Sequence, residues 1–279
     1  MPRRELRYFF GRLNLIANYT DKREFLLRAL QTSKIIFHRG NNWGFFEAKE
    51  TETEFGLFIS GFLVKYKGEI DEEVAVPETH SLTDIAAANR VVAKSRFFLH
   101  IESGLIAYHP VANKIGNETF CERFVQLFEE ALDKFFVSAD IQAIEERYKI
   151  FEAIRRFKTI SKVFVYLHPS NPRSTKRWKR IDDRLKRLGA SKYQEQYESK
   201  PNGDGLDIIR DPELKSKITM ADDGYGKAEV TGQIEGETRT ISTRDNPITA
   251  LAANDDQPPE SVISKLGSAL KKIFSRFRK

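Results

Sequence analysis

The sequence predicts an α+β fold of mostly antiparallel sheets with packed helices, arranged as two domains followed by a C-terminal amphipathic helix. Three observations support this prediction. Short β-rich segments alternate with turn residues over much of the 279-residue chain, a few stretches repeat apolar residues at helical spacing, and an Asn-, Asp- and Pro-containing segment precedes the last 19 residues. With 40% hydrophobic and 11% aromatic residues, most of the length can form a packed core.

The first predicted domain spans residues 1–135. A strand over 7–17 precedes a helix capped by Asp21, and four β-rich segments follow: KIIFHR, WGFFEAK, LFISGFLVKY and EEVAVPE. Ser103-Gly104 is placed at a tight turn between two apolar strands. A helix from about Glu118 closes the domain, because its apolar residues form one stripe: Phe120, Phe124, Leu127, Phe128, Ala131, Leu132 and Phe135.

The second predicted domain spans residues 136–245. Its pattern from 137 to 197 is strand, helix, strand, helix, strand, which is typical of a ferredoxin-like half-unit. After PNGDG at 201–205, three β segments are expected: ELKSKITMA, KAEVTGQIEG and ETRTIST. A hairpin over 226–243 turns at Glu235-Gly236. Residues 246–260 are predicted to be a flexible linker, and 261–279 the amphipathic helix.

Charge is unevenly distributed along the chain. Of 46 basic and 40 acidic residues, six basic and no acidic ones lie after Glu260, which leaves 40 of each in the first 260 residues. The net charge of +6 therefore belongs to the C-terminal segment. A basic segment of this kind favours contact with an anionic surface.

The C-terminal segment, SVISKLGSALKKIFSRFRK, separates apolar from basic residues on a helical wheel. Such a helix suits a lipid headgroup region or an apolar groove on a protein, which is either a partner or the chain's own body. The residues predicted to make the membrane or partner contact are Leu266, Leu270, Lys271, Lys272, Ile273, Phe274, Arg276 and Phe277.

A second basic segment, residues 171–189, is predicted to be a helix with Trp178, Ile181, Leu185 and Leu188 on one face and Gly189 at its end. Ser170, Ser174 or Thr175 is the expected cap. Eight basic residues against Asp182 and Asp183 predict contacts with nucleic-acid phosphates: Arg173, Lys176, Arg177, Lys179, Arg180, Arg184, Lys186 and Arg187. The alternative is an ordinary amphipathic helix with a solvated basic face.

Catalytic patterns are incomplete. Glu47-Ala48-Lys49 matches part of a nuclease signature in which carboxylates hold a divalent ion, and Asp211-Pro212-Glu213-Leu214-Lys215 is a second partial match. His100, Glu102 and His109 have loose spacing for a metal site. Gly224-Tyr225-Gly226 lacks the setting of a phosphate-binding loop and is expected to be a β-turn. No catalytic residue, metal or cofactor is predicted.

The location indicated is the cytoplasm, with peripheral contact to the inner membrane as the alternative. Cys121 is the single cysteine and is expected to be inert on an apolar helix. No signal peptide is visible at the N-terminus. The densest apolar run, residues 55–66, is shorter than the ~20 residues that a spanning helix needs.

Three stretches resemble an uncharacterised bacterial family found in prophage and defence neighbourhoods: RFFLHIESGLIAYHP, VYLHPSNPRSTKRWKRIDDRLKRLGA and DDGYGKAEVTGQIEGETRTISTRDNP. More remotely, the last third is similar to RexA phage-exclusion proteins. That resemblance implies a cytoplasmic DNA-binding sensor that acts with a membrane effector. It does not extend to the basic C-terminal segment.

These observations together predict a non-catalytic anti-phage or prophage-exclusion factor that binds nucleic acid through the 171–189 helix and signals to a membrane or partner protein. A homodimer is left open. The alternatives are a peripheral membrane or membrane-active protein that uses its C-terminal helix, and a metal-dependent nuclease.

Overall fold

The computed structural model describes residues 5–17, 19–68, 70–76, 81–87, 89–132, 137–146, 149–170, 175–201, 203–252 and 257–276. Predicted site residues Arg173 and Phe277 lie outside the described residues, as do Ser174 and part of the predicted linker. The fold is α+β with antiparallel sheets, which confirms the predicted class.

A large sheet contains eight strands among the described residues. They are β1 (Leu6–Ile16), β2 (Ile36–His38), β3 (Asn41–Thr53), β4 (Gly56–Tyr66), β7 (Val91–His100), β8 (Leu105–Tyr108), β9 (Ser138–Ala143) and β14 (Thr249–Ala252). The order is β14-β1-β8-β7-β4-β3-β2, and β9 also pairs with β1. One edge of β1 therefore holds β8, while β14 and β9 lie end to end along the other edge.

Helices cover both faces of the large sheet. The inner face packs against α1 (Lys22–Leu30) and α2 (Asn117–Leu132), and the outer face packs against α6 (Pro259–Lys265) and α7 (Gly267–Phe274). Phe97 and Phe98 are neighbours on β7 and lie in different cores, because successive strand residues point to opposite faces. Asp21 caps α1 as predicted, accepting bonds from the backbone of Arg23 and Glu24.

A small sheet has the order β11-β10-β12-β13, with β10 (Thr159–Leu167), β11 (Tyr193–Glu198), β12 (Gly226–Ile234) and β13 (Glu237–Ser242). Its core includes side chains from α3 (Lys149–Ile154), α4 (Lys179–Arg187) and α5 (Pro212–Met220). The expected hairpin at Glu235-Gly236 joins β12 and β13, and both turn residues have positive φ, 52° and 85°. A third pair, β5 (Ile70–Val76) and β6 (Ser81–Ala87), forms a separate hairpin.

Several sequence predictions are wrong at the level of elements. ELKSKITMA is helical, because Asp211 accepts bonds from Glu213 and Leu214 N–H and Pro212 occupies the first turn, a strong helix start. The strand–helix–strand order from 137 to 197 is present, but β9 pairs with β1 rather than with the small sheet. The unit is therefore not ferredoxin-like, and the predicted boundary at 135/136 does not separate the sheets.

The predicted linker and tail also differ from expectation. Residues 249–252 form β14 against β1, with Ala252 buried. The predicted single helix over 261–279 is two short helices, α6 and α7, that meet at Leu266. Their apolar residues, Val262, Ile263, Leu266, Leu270 and Ile273, are buried in the core on the outer face of the large sheet.

Candidate nucleic-acid interface

The basic helix forms one wall of a groove. α4 faces α5 across a cavity of about 800 Å³, with Tyr193 also lining it. This volume lies within the range of ordinary ligand pockets. Six basic side chains that line the groove are exposed: Lys176, Arg177, Lys179, Arg180, Arg184 and Arg187.

α4 is held in place by buried contacts on its other side. The Trp178 indole donates to Asp223 Oδ2 at 2.9 Å, and its ring packs 5.0 Å from the Tyr225 ring. Leu185 lies in the small-sheet core. Gly189, with φ of 63°, ends the helix as predicted. The basic face is therefore fixed towards solvent by the packing of the apolar face.

The cap of α4 differs from the prediction. Trp178 is at the cap position, and no side chain bonds the first turn there. Ser170 bonds the buried Asp182 instead, through its backbone N–H and its hydroxyl, each at 2.6 Å. Leu188, predicted on the apolar face, is 66% exposed because it lies past the last helical turn.

Two of the basic residues near the groove are neutralised by partners in the chain. Lys186 donates to Asp182 at 2.8 Å, so its charge is paired with the buried carboxylate that also accepts from Ser170. Lys217 on α5 is buried and pairs with Glu195 and Glu213. Burial lowers the pKa of Lys217, but the hydrogen bonds that its ammonium group makes with Glu195, Tyr193 and Glu213 outweigh burial and raise the pKa above its ordinary value. The six other basic residues on and beside α4 that line the groove have exposed side chains.

Few acidic groups oppose this surface. Asp183 and Glu213 are the carboxylates among the described residues that line the groove, and Glu213 is bonded to Lys217. The six exposed cations can neutralise several phosphates of a polyanion, which provides affinity that depends on salt and not on sequence. Arg184 and Arg187 in the last turn are also compatible with the negative end of the helix dipole.

Behind the groove lies a buried charged cluster that sequence reasoning missed. Ala221–Tyr225 forms a wide π-type turn, not the expected β-turn, and joins α5 to β12. It brings Asp222 and Asp223 next to Glu145, Arg12 and Arg276, all at most 5% exposed. The consecutive acids in DDGYG were the signal for this cluster, but their burial could not be derived from local sequence.

Hydrogen bonds across the cluster connect the large sheet, the small sheet and the tail. Arg12 Nε on β1 donates to Asp223 O at 3.1 Å, and the Asn14 amide donates to Gly224 O at 2.9 Å. Arg276, just after α7, lies 3.4 Å from Asp223 Oδ1 and donates to Glu145 O at 2.6 Å. Asp223 thus contacts both Trp178, which holds α4 in place, and Arg276 of the C-terminal segment.

Two acids of the cluster have raised pKa values. Burial, with the negative charges of Asp223 and Glu145, raises the pKa of Asp222 to about 8. Burial also raises the pKa of Glu145 to about 7, although backbone bonds from Asn246 partly offset it. In the described part of the chain, no group of three His, Cys, Asp or Glu side chains is arranged to hold a metal ion.

The C-terminal contact residues are placed mostly in the interior. Leu266, Leu270 and Ile273 pack on the outer face of the large sheet, Arg276 is buried, and Phe274 lies 5.0 Å from the His100 ring. Lys271 is exposed, and Lys272 pairs with Glu146. The apolar arc thus docks on the chain's own body in this structure. Among the described residues, every helix is too short or too polar to cross a lipid bilayer.

The partial catalytic matches are dispersed. Glu47, with φ of 54°, lies in a bulge of β3, and regular pairing resumes at Lys49. Both residues line a cavity of about 420 Å³ together with Lys94, Arg96 and Glu260. Asp211 is the cap of α5. His100 bonds the Ser103 hydroxyl at 2.8 Å and His109 the Arg7 carbonyl at 3.0 Å. Burial raises the pKa of the Cys121 thiol to about 11, which keeps it protonated and weakly nucleophilic.

The fold and groove define a class: an α+β protein with a basic cavity between two helices of its smaller sheet. A family model described as a domain of unknown function (DUF4747) matches residues 10–268, and the chain belongs to that family. No curated protein matches the chain.

Proposed function

We propose that this protein binds nucleic acid, without catalysis, through the groove between α4 and α5. The observation that supports the proposal best is the exposed set of six cations lining one cavity, where Asp183 and Glu213 are the acidic residues of the lining. A polyanion with regularly spaced phosphates matches such a row of cations better than a small neutral ligand does.

The rigid support of α4 favours this function over a merely solvated face. Trp178 and Leu185 are 1% and 2% exposed and fix the helix on the small-sheet core. The cations therefore start from a partly ordered arrangement. Less conformational entropy is lost when a ligand binds a surface whose backbone is already held.

The biological role we propose is anti-phage defence or prophage exclusion in the cytoplasm. It is supported by the resemblance of the last third to RexA phage-exclusion proteins, a segment that contains α4, α5 and three residues of the buried cluster, Asp222, Asp223 and Arg276. Signalling to a membrane or partner would use the exposed face of the C-terminal segment, where Lys265 and Lys271 are exposed while the apolar arc remains docked.

The test is salt-dependent binding of a fluorescent 20-base-pair duplex and the corresponding single strand to the full chain. The double variant Arg180→Glu, Arg184→Glu should bind both probes more weakly. Because each lost phosphate contact removes about one unit from the slope of log affinity against log salt, the slope should fall by about 2.

The matched control is Arg155→Glu, Arg156→Glu. These two cations are exposed beside α3 and do not line the groove. The control changes the net charge by the same amount and leaves the groove unchanged. The slope of log affinity against log salt should therefore stay close to that of the wild type. Equal weakening by both double variants would show that net charge, and not the groove, controls binding.

Two further measurements separate the alternatives. If the protein cleaves the probe in the presence of magnesium, and Glu47→Gln abolishes that cleavage, the protein is a nuclease and the proposed function is wrong. Flotation of the full chain with anionic liposomes, without measurable nucleic-acid binding, would replace it with a peripheral membrane function. If neither probe nor liposome binds, the proposed function is wrong.

A further inference from the structure

The groove between α4 and α5 has an apolar lining as well as a basic one. Among the described residues, the apolar lining comprises Trp178, Ile181, Leu185, Tyr193 and Pro212. Trp178 and Leu185 are almost fully buried and therefore lie deep in the groove, whereas the six cations are exposed and lie towards solvent. A ligand that fills the groove would meet charge near solvent and apolar groups further in.

Tyr193 belongs to this lining, at the start of β11, and is half-buried. Its hydroxyl donates to Glu195, and the Lys217 ammonium group lies 5.4 Å from the centroid of its ring. Glu195 and Lys217 are paired with each other. Because these contacts hold the ring before a ligand arrives, little rotamer freedom is lost when another aromatic group packs against it.

The cations are spread along the groove and are not gathered at one point. They begin at Lys176, before α4, and continue to Arg187 in its last turn. The nine residues of α4 extend about 13 Å at the rise of an α-helix. A free mononucleotide carries its phosphate at one end, so it would contact only part of this row. A chain of nucleotides has a phosphate at every residue and can contact the whole row.

The combination of apolar and basic lining discriminates among polyanions. A polyphosphate has no apolar group to bury against Ile181 and Tyr193. A duplex keeps its bases paired and stacked inside, and they reach such a lining only if they are flipped out at a cost in free energy. In a single strand the bases can turn towards an aromatic side chain while the backbone follows the cations.

We propose that the groove binds single-stranded nucleic acid, with bases packed against Tyr193 and Ile181 and the sugar–phosphate backbone along the cations of α4. This proposal rests on the proposed function and narrows its ligand. Binding of this kind tolerates any base sequence, because every base has an apolar face and every nucleotide a phosphate. The cavity of about 800 Å³ has room for a base and its sugar, since pockets for drug-sized ligands begin near ~300 Å³.

The test compares the same fluorescent single strand and duplex with an abasic strand, which has the same sugar–phosphate backbone and no bases. The full chain should bind the single strand about tenfold more tightly than either the abasic strand or the duplex at one salt concentration. Thymidine monophosphate should displace the single strand only at large excess. Equal affinity for the duplex or the abasic strand, or displacement by equimolar thymidine monophosphate, would contradict the proposal.

Tyr193→Ala measures the contribution of the aromatic ring. It should weaken binding of the single strand about fivefold or more and leave the affinity for the abasic strand unchanged, because only a base contact is lost. The slope of log affinity against log salt should stay at the wild-type value, since no charge is removed. The control is Tyr197→Ala, which removes a 43% exposed tyrosine of β11 that does not line the groove. This control should bind the single strand as the wild type does.

The results distinguish a wrong ligand class from a wrong binding site. If the duplex binds as tightly as the single strand and Arg180→Glu, Arg184→Glu weakens both, the groove binds nucleic acid and the single-strand preference is wrong. If Tyr193→Ala weakens the base-bearing and abasic strands equally, Tyr193 supports the groove without contacting bases, which also overturns the proposal. If no probe binds, both the proposed function and the single-strand preference are wrong.

Discussion

At the scale of single residues, the least expected feature is the pair of protonated carboxyl groups, Glu145 and Asp222. Their ordinary pKa values are 4.5 and 3.8, and burial raises them to about 7 and about 8 in the folded chain. The unfolded chain releases these protons near pH 4, while the folded chain retains them. The stability from this pair is therefore fully present below about pH 4 and is lost progressively as pH rises from about 4 to the folded pKa values of about 7 and about 8.

Replacing Asp222 by Asn should make the protein more stable at high pH. The amide imitates the protonated acid and cannot ionise, so the free energy of unfolding at pH 8 should rise on the order of 2 kcal/mol, with little change at pH 4. Urea unfolding at both pH values measures this. Asp183→Asn, on the exposed face of α4, is the control and should show no such pH dependence. An equal effect of Asp222→Asn at both pH values would contradict the assigned titration.

At the scale of elements, the wide turn at Ala221–Tyr225 depends on Gly224. Its φ is 86°, and an added Cβ would lie 2.9 Å from Ile144 Cγ1 and 3.0 Å from Arg12 Cβ. Gly236 in the β12–β13 hairpin has nearly the same φ, 85°, but no atom within 4 Å of its Cβ position. The two glycines therefore share a backbone requirement and differ in their surroundings.

This difference predicts unequal costs for the same substitution. Gly236→Ala should lower the free energy of unfolding by about 1–2 kcal/mol, the cost of left-handed backbone in an L-residue. Gly224→Ala should lower the free energy of unfolding by about 1–3 kcal/mol more, because the added methyl group is too close to Ile144 and Arg12. Thermal and urea unfolding of both variants check this. Equal losses of unfolding free energy in the two variants would show that Ile144 and Arg12 move aside without cost.

Whether a segment is a helix or a strand could be predicted from the sequence where its cap, turn and apolar pattern all favoured the same structure. It could not be predicted where these local patterns favoured different structures. Asp21 with its apolar repeat predicted α1, and Glu235-Gly236 predicted the hairpin, since turn and cap chemistry acts over a few residues. ELKSKITMA, expected as a β segment, is helical because the Asp211 cap and Pro212 in the first turn favour a helix start. The pairing of β9 and β14 with β1 could not be predicted, because partner choice between distant segments leaves no local pattern.

The same limit applies to the groove. The cations of α4 were evident from the sequence, but α5 was expected as a strand, so the opposite wall and the cavity were missed. Neutralisation of Lys217 by Glu195 and Glu213 also required three-dimensional contacts. The prediction that α4 contacts nucleic acid stays a prediction, now with a defined surface.

At the scale of the whole molecule, Arg276 is the connection that joins the tail to both sheets. It is 5% exposed, ion-paired to Asp223 and bonded to the Glu145 carbonyl. Lys272, one turn earlier, makes an ion pair with Glu146 whose side chains are 50% and 38% exposed. The tail thus offers one buried and one exposed ion pair within five residues.

Arg276→Ala should lower the free energy of unfolding by about 3–5 kcal/mol, because it removes the ion-pair partner of the buried Asp223, which then keeps the hydrogen bond from the Trp178 indole. Lys272→Ala should cost about 0–1 kcal/mol, since an exposed pair is solvated and screened. Chemical denaturation of the two variants measures the contrast. If Arg276→Ala lowers the free energy of unfolding by less than 1 kcal/mol, the C-terminal segment does not stabilise the buried charged cluster.

The position of β14, α6 and α7 against β1 has a consequence during synthesis. β1 starts at Leu6, yet one of its edges and much of the outer core are completed by residues 249–274. Contacts this distant in sequence close slowly and only after the whole segment has left the ribosome. Until then Tyr8, Phe10 and Phe98 lack their covering layer. A prematurely terminated chain would therefore expose apolar surface to chaperones and proteases, so that mainly full-length protein accumulates in the cell.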